Sequence, residues 1–265
     1  MLAYDRDGFG IPLVFIHAFP LHRKLWDVQR SFFSKHFQFI SMDMPGFGES
    51  PVKGEVTSME DMAKEVISTL NQMGVKEKIV AAGMSMGGYV LFHLWKQFPD
   101  RLRALALIST RAEADAPPTR EKRFQNIDLI EKEGLGALAE GMLPHLLGNS
   151  TRAENPSLVG QVRRWITGGQ LKGIQAALRG MADRPDSTPL LSTLHIPTLV
   201  VSGAQDTSVT PVEMGPWAKR IPRAEFHVVP KGGHLISLEQ PVLFNDLFLA
   251  FLKIVFNPPK GSHYF

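Results

Sequence analysis

A serine sits at the centre of Gly83-Met84-Ser85-Met86-Gly87, directly after the apolar run Ile79-Val80-Ala81-Ala82. Glycine two places before it and two after lets two backbones nearly touch, as a sharp strand-to-helix turn requires. Such a turn would push the Ser85 hydroxyl out above a sheet end, where it could attack an electrophilic carbon. A helix N-cap fits that position too, but it leaves both glycines unexplained. A serine hydroxyl is a poor nucleophile alone, so the decisive question is whether a base, an acid and oxyanion donors lie nearby. Three further loops carry candidates. Pro12-Leu13-Val14-Phe15-Ile16 runs into His17-Ala18-Phe19-Pro20, and Pro197-Thr198-Leu199-Val200-Val201 into Ser202-Gly203-Ala204-Gln205-Asp206. Phe226-His227-Val228-Val229 leads to Lys231-Gly232-Gly233-His234. Each polar candidate follows the carboxyl end of a predicted strand, where open α/β sheets place their sites.

The chain order Ser85, Asp206, His234, with the glycine elbow and the His17 loop, resembles the α/β-hydrolase-fold serine hydrolases. The likeness is greatest to compact bacterial esterases and the 3-oxoadipate enol-lactonase-like group. It covers nearly the whole chain and is weak only in the middle third. It implies Ser85 as nucleophile, His234 as general base and Asp206 as the acid that orients the imidazole. It also implies the backbone N–H groups of Phe19 and Met86 as oxyanion donors. Gly232-Gly233 before His234, and Leu235-Ile236-Ser237-Leu238-Glu239-Gln240-Pro241 after it, match the family's carboxyl-terminal motif. Asp115 and Asp128 compete for the acid's place. Where the family usually has His-Gly, this chain has His17-Ala18, so a slightly different loop is expected, with His17 bracing it. The implied reaction is carboxylic-ester cleavage through an acyl-enzyme, with no cofactor. An enol-lactonase acting on a carboxylate-bearing lactone is the alternative. A non-catalytic small-molecule receptor on the same fold is a third reading, disfavoured by the complete set of candidates. Serine in the elbow disfavours the aspartate-nucleophile dehalogenases and epoxide hydrolases.

Composition bounds the rest. The 265 residues suit one α/β domain with an insertion, and 44% hydrophobic with 21% charged residues is ordinary for a globular protein. Net charge is +3, but the cations are interspersed with acids, which argues against nucleic acid or a membrane as a partner. There is no cysteine, so disulfides, thiolate metal sites and a cysteine nucleophile are excluded. The nine histidines show no metal-ligand spacing. No apolar run reaches membrane-spanning length, and Met1-Leu2-Ala3-Tyr4-Asp5-Arg6-Asp7 lacks a signal-peptide pattern. The expectation is a cytoplasmic enzyme, monomeric or homodimeric, acting on a small ester or lactone.

Strands are expected near 2–5, 12–16, 37–42, 78–82, 103–109, 197–202 and 224–229. Several are continuous apolar runs, as in a parallel sheet covered on both faces. Family enzymes usually carry two strands before the first loop, so here the edge strand should be missing or very short. Between residues 111 and 189 the strand pattern lapses and helical spacing dominates. Leu158, Val162, Trp165 and Ile166 share one face, as do Ile174, Ala177, Leu178 and Met181. This predicts an α/β-hydrolase core over 1–110 and 190–256, a cap of about four helices over 111–189, and a disordered tail over 257–265. Trp165, Met142 and Leu146 are candidates for the pocket wall. Arg111, just past a strand, could meet a substrate carboxylate or pair with Glu113 or Asp115.

Overall fold

The computed structural model describes residues 1–257; most of the expected tail lies outside the described residues. Seven strands form one sheet: β1 (Tyr4–Asp7), β2 (Pro12–Ile16), β3 (Gln38–Met42), β4 (Ile79–Met84), β5 (Leu102–Ile108), β6 (Thr198–Gly203) and β7 (Ala224–Val229). Their spatial order is β1-β3-β2-β4-β5-β6-β7, and only β1 runs antiparallel to its neighbour. Strands β2, β4 and β6 are buried at every position, which is why they read as unbroken apolar runs. The helices are α1 (Asp27–Phe33), α2 (Met59–Gln72), α3 (Met86–Gln97), α4 (Pro117–Leu146), α5 (Asn149–Glu154), α6 (Pro156–Thr167) and α7 (Leu171–Ala182). After them come α8 (Pro211–Ala218), α9 (Ile236–Glu239) and α10 (Pro241–Phe256).

The edge strand is short, as expected, but it starts at Tyr4 rather than Leu2. The amides of residues 2 and 3 donate to side chains, while the Ala3 carbonyl accepts the Asp43 amide at 2.9 Å. The Leu2 amide donates to the Thr69 hydroxyl at 2.9 Å, and the Ala3 amide to the Ser50 hydroxyl at 2.8 Å. Beneath one sheet face, Phe15 stacks on Phe39 at 4.6 Å between ring centres and meets Phe248 edge-on at 5.5 Å. Register then places the functional loops together. Ile16 pairs with Gly83, Gly83 with Leu107, Ile108 with Val201 and Gly203 with Val229. Loops leaving β2, β4, β6 and β7 therefore emerge along a single edge.

Between β5 and β6 the chain inserts α4, α5, α6 and α7. Helix α4 is broken at Gly134, whose φ of 78° and ψ of −177° are not helical. Leu158, Val162 and Ile166 of α6 are buried, as are Ile174, Ala177, Leu178 and Met181 of α7. Helix α7 lies directly on the loop after β3. A Cβ on Gly173 would strike the backbone of Gly46, and one on Gly180 would strike the Thr57 carbonyl. Between them the Thr57 amide donates to the Ala176 carbonyl at 3.1 Å. Seven residues apart, the two glycines occupy one helix face two turns from each other. Gly180→Val should therefore lower the free energy of unfolding by about 1–3 kcal/mol, read as a fall in the urea midpoint. An unchanged midpoint would show that α7 can move off the loop without loss.

Candidate active site

Ser85 is the single residue between β4 and α3. Its φ of 54° and ψ of −112° lie where side-chain-bearing residues are strained. Backbone and hydroxyl hydrogen bonds hold it there. Its amide donates to the Ile108 carbonyl at 2.8 Å, while its carbonyl accepts the Gly88 amide at 2.9 Å and the Thr110 hydroxyl at 2.8 Å. The turn is possible only because the flanks have no side chains. A Cβ on Gly83 would collide with the Gly87 carbonyl, and one on Gly87 with the Ile16 carbonyl of β2. Gly88, which sequence reasoning did not single out, is equally constrained, because a Cβ there would enter the Thr110 side chain.

Asp206 follows β6 and His234 follows β7, and the parallel pairing of those strands brings the two loops together. His234 Nδ1 donates to Asp206 Oδ2 at 2.8 Å, with both side chains buried. Asp206 Oδ1 accepts the amides of Ser208 at 2.8 Å and Val209 at 2.9 Å. Burial pushes this carboxyl's pKa up, but His234 and the two amides outweigh it and hold the group below the usual carboxylate range. The ionised carboxylate takes the Nδ1 proton's hydrogen bond, which leaves Nε2 as the nitrogen free to accept a proton. His234 and Ser85 line the same cavity of about 570 Å³.

The competing acids are committed elsewhere. Asp115 has a fully buried carboxyl held by Arg123 Nε at 2.9 Å and Arg184 Nη1 at 2.5 Å. Burial alone would raise its pKa, and the two guanidiniums overcome that and lower it. Asp128 is exposed on α4.

Phe19 lines the cavity, and Met86 is the first residue of α3, where amides have no partner within the helix. His17 braces this first loop. Its Nε2 accepts the Met44 amide at 2.9 Å, and its Nδ1 donates to the Ala18 carbonyl at 3.0 Å. Complete burial lowers its pKa to about 4, so it stays neutral and ties the loop after β2 to the loop after β3. Among the described residues, positive φ outside glycine occurs at Ser85, Ser109 and Lys231. Ala18 is not one of them, so alanine fits this loop without strain.

Of the pocket-wall candidates, Met142, Leu146 and Arg111 line the cavity. Trp165 does not. Its indole packs edge-on against His22 with ring centres 5.3 Å apart, because α6 turns that residue toward the loop after β2. Arg111 reaches neither Glu113 nor Asp115. It is hydrogen-bonded to the Ser208 carbonyl and lies 3.8 Å from Glu213, so it also steadies the loop that carries Asp206.

Sequence reasoning missed the polar wall. Thr119, Lys122, Arg123 and Asn126 of α4 line the cavity together with Tyr89 of α3. Their spacing is one helical stripe, the signal that could have found them. Arg123 belongs to a buried cluster in which Arg184 stacks over the Tyr89 ring at 4.0 Å and Asp115 bridges both arginines.

A family profile described as the alpha/beta hydrolase fold matches residues 11–241. A thermophilic esterase from Thermogutta terrifontis, solved with malate bound, is 40% identical with a TM-score of 0.94, over 96% of this chain and 93% of that one. The enol-lactonase from Burkholderia xenovorans LB400 is 23% identical with a TM-score of 0.88, over 95% of this chain and 96% of that one, a likeness of fold. The 3-oxoadipate enol-lactonase 2 of Acinetobacter baylyi is 24% identical over 91% of this chain and 88% of its own. Since the matched span takes in the loops that carry Ser85, Asp206 and His234, the chain belongs to the α/β hydrolase fold family and is a hydrolase.

Proposed function

We propose that the protein hydrolyses carboxylic esters through an acyl-enzyme, with Ser85 as nucleophile, His234 as general base and Asp206 as its orienting acid. The observation that carries this reading is the Asp206–His234 hydrogen bond beside the cavity that Ser85 shares with His234. His234 Nε2 takes the Ser85 hydroxyl proton as Oγ bonds to the acyl carbon. The negative charge that moves onto the carbonyl oxygen meets the amides of Phe19 and Met86. Collapse breaks the carbon–oxygen bond, and the departing alcohol takes the proton from His234. Water, deprotonated by the same nitrogen, then releases the acid and restores Ser85. The insertion over residues 111–189 acts as a cap, with α4 and Met181 of α7 forming the pocket's outer wall.

A second reading narrows the substrate to an ester or lactone that bears a carboxylate. Arg111, Lys122 and Arg123 line the cavity, and no aspartate or glutamate does among the described residues. Two arginines share Asp115, so that cluster keeps one uncompensated positive charge. The names of the enol-lactonase relatives and of the malate-bound esterase are in keeping with such a substrate.

Ser85→Ala should cut turnover of p-nitrophenyl acetate by about a thousandfold or more, and should abolish labelling by a fluorophosphonate. Thermal stability should hold, because a single hydroxyl adds little to folding. Turnover close to wild type would reject Ser85 as nucleophile.

Monomethyl succinate should be hydrolysed with higher kcat/KM than methyl 4-methylpentanoate, its near-isosteric neutral counterpart. Added salt should erode the difference, and Lys122→Gln should reduce it about two- to fivefold, the scale of an exposed charge contact. Equal rates for the two esters, independent of salt, would leave the neutral ester as the substrate class.

A further inference from the structure

Glu239, the last residue of α9, lies five positions after His234, and none of its atoms takes part in the reaction above. Its surroundings are unusual for a half-buried glutamate. Oε1 accepts the Gly233 amide at 3.0 Å and the Leu235 amide at 3.1 Å, the two peptide N–H groups either side of His234's own. Oε2 accepts the Gly148 amide at 2.8 Å, at the joint between α4 and α5 in the cap. The Thr151 hydroxyl of α5 also donates to this carboxylate. No lysine, arginine or histidine pairs with it among the described residues.

The same cap segment is stitched to the acid loop. Gln205, next to Asp206, accepts the Ser150 amide at 2.9 Å and donates to the Ser150 hydroxyl at 2.8 Å. The Gln205 amide donates to the Gly232 carbonyl at 2.7 Å, and the Leu235 amide also reaches the Leu146 carbonyl at 3.1 Å. Backbones meet so closely here that a Cβ on Gly233 would strike the Gly148 nitrogen. Leu146, a wall of the cavity, lies inside this seam.

We propose that Glu239 is a positioning residue: by gripping the amides on both sides of His234 and that of Gly148, it holds the imidazole in register with Asp206 and makes cap residues 145–151 part of the support of the base. This rests on the hydrolase reading. Backbone amides clamp a carboxylate along fixed directions, so the grip sets loop geometry more finely than apolar packing does. A shift of the imidazole by a fraction of an ångström is costly to catalysis.

The test is Glu239→Gln, which keeps shape and places an NH₂ group against one of the amide donors. Burial raises the Glu239 pKa, more than the Thr151 hydroxyl and the three amides lower it. A raised folded pKa gives stability that is present at acid pH and lost as pH rises through that value, so at neutral pH the charged form is a burden on the fold. The NH₂ group, however, leaves a buried amide without its acceptor, so the variant should melt somewhat below wild type, while kcat for p-nitrophenyl acetate falls about ten- to a hundredfold and KM stays within about twofold. Fluorophosphonate should still label every site, only more slowly. The acid limb of the kcat/KM profile should move to lower pH, because a loosened Asp206 contact stabilises the imidazolium less; Arg111, Lys122, Arg123 and His145, the other basic groups of the cavity, are the same in both proteins.

A kcat per labelled site equal to wild type, or an unmoved acid limb, would overturn the proposal. Should Glu239→Gln not fold, Thr151→Val decides instead: a smaller fall in kcat with the same limb shift supports the grip, and no change overturns it. Wild-type protein that neither labels nor turns over ester would sink the hydrolase reading and this inference together. Active wild type matched by both variants would sink this inference alone.

Discussion

Everything at the site follows from how closely the main chain of β4 and α3 can approach itself and β2. Gly83 against Gly87, and Gly87 against Ile16, are contacts with no room for a methyl group. They turn the chain so tightly that Ser85 is left at a strained φ, projecting from the sheet edge. Parallel register then does the rest, since strands that end level place the loops after β2, β6 and β7 within reach of that serine. The strain is held by hydrogen bonds to Ile108, Gly88 and Thr110 rather than by packing alone.

Around that turn the polar groups sort by what surrounds them. His17 is as buried as His234, yet its two ring nitrogens face a backbone amide and a carbonyl, and it stays neutral. His234 faces a carboxylate at Nδ1 and the cavity beyond. Asp206 and Asp115 are both buried acids held ionised, one by an imidazole and two amides, the other by two guanidiniums. Partners, more than burial, separate an imidazole that keeps one nitrogen toward the cavity from one that ties two loops together.

The sheet and the Ser85, Asp206 and His234 loops were legible in the chain because a doubly covered parallel strand cannot hide. Runs such as Leu13-Val14-Phe15-Ile16 are apolar throughout, and Ser85 and Asp206 follow strands of that kind, whereas His234 follows the half-exposed edge strand β7 and was legible from its Gly232-Gly233 turn. Trp165 was misread for a physical reason. It shares a stripe with Val162 and Ile166, but at the stripe's margin a helix face does not say which neighbour a large ring will meet, and here it is His22. The Arg123 cluster was hidden by sequence distance. Arg120-Glu121-Lys122-Arg123 reads as a solvated helix face until Arg184, far along the chain, arrives at the same carboxylate.

On the reaction proposed above, that shared carboxylate bears on the end of the cycle rather than its start. Whatever alcohol an ester carries, its hydrolysis leaves a carboxylic acid that ionises at neutral pH. Arg111, Lys122 and Arg123 line the cavity, Arg123 sharing its aspartate with Arg184, and together they would give the newly freed acid a favourable place to linger. On the ester reading, the same charges that would welcome an anionic substrate would also hold back the product, and small carboxylates in the medium would compete for that place. A cavity charged in this way would trade speed of release for selectivity of entry.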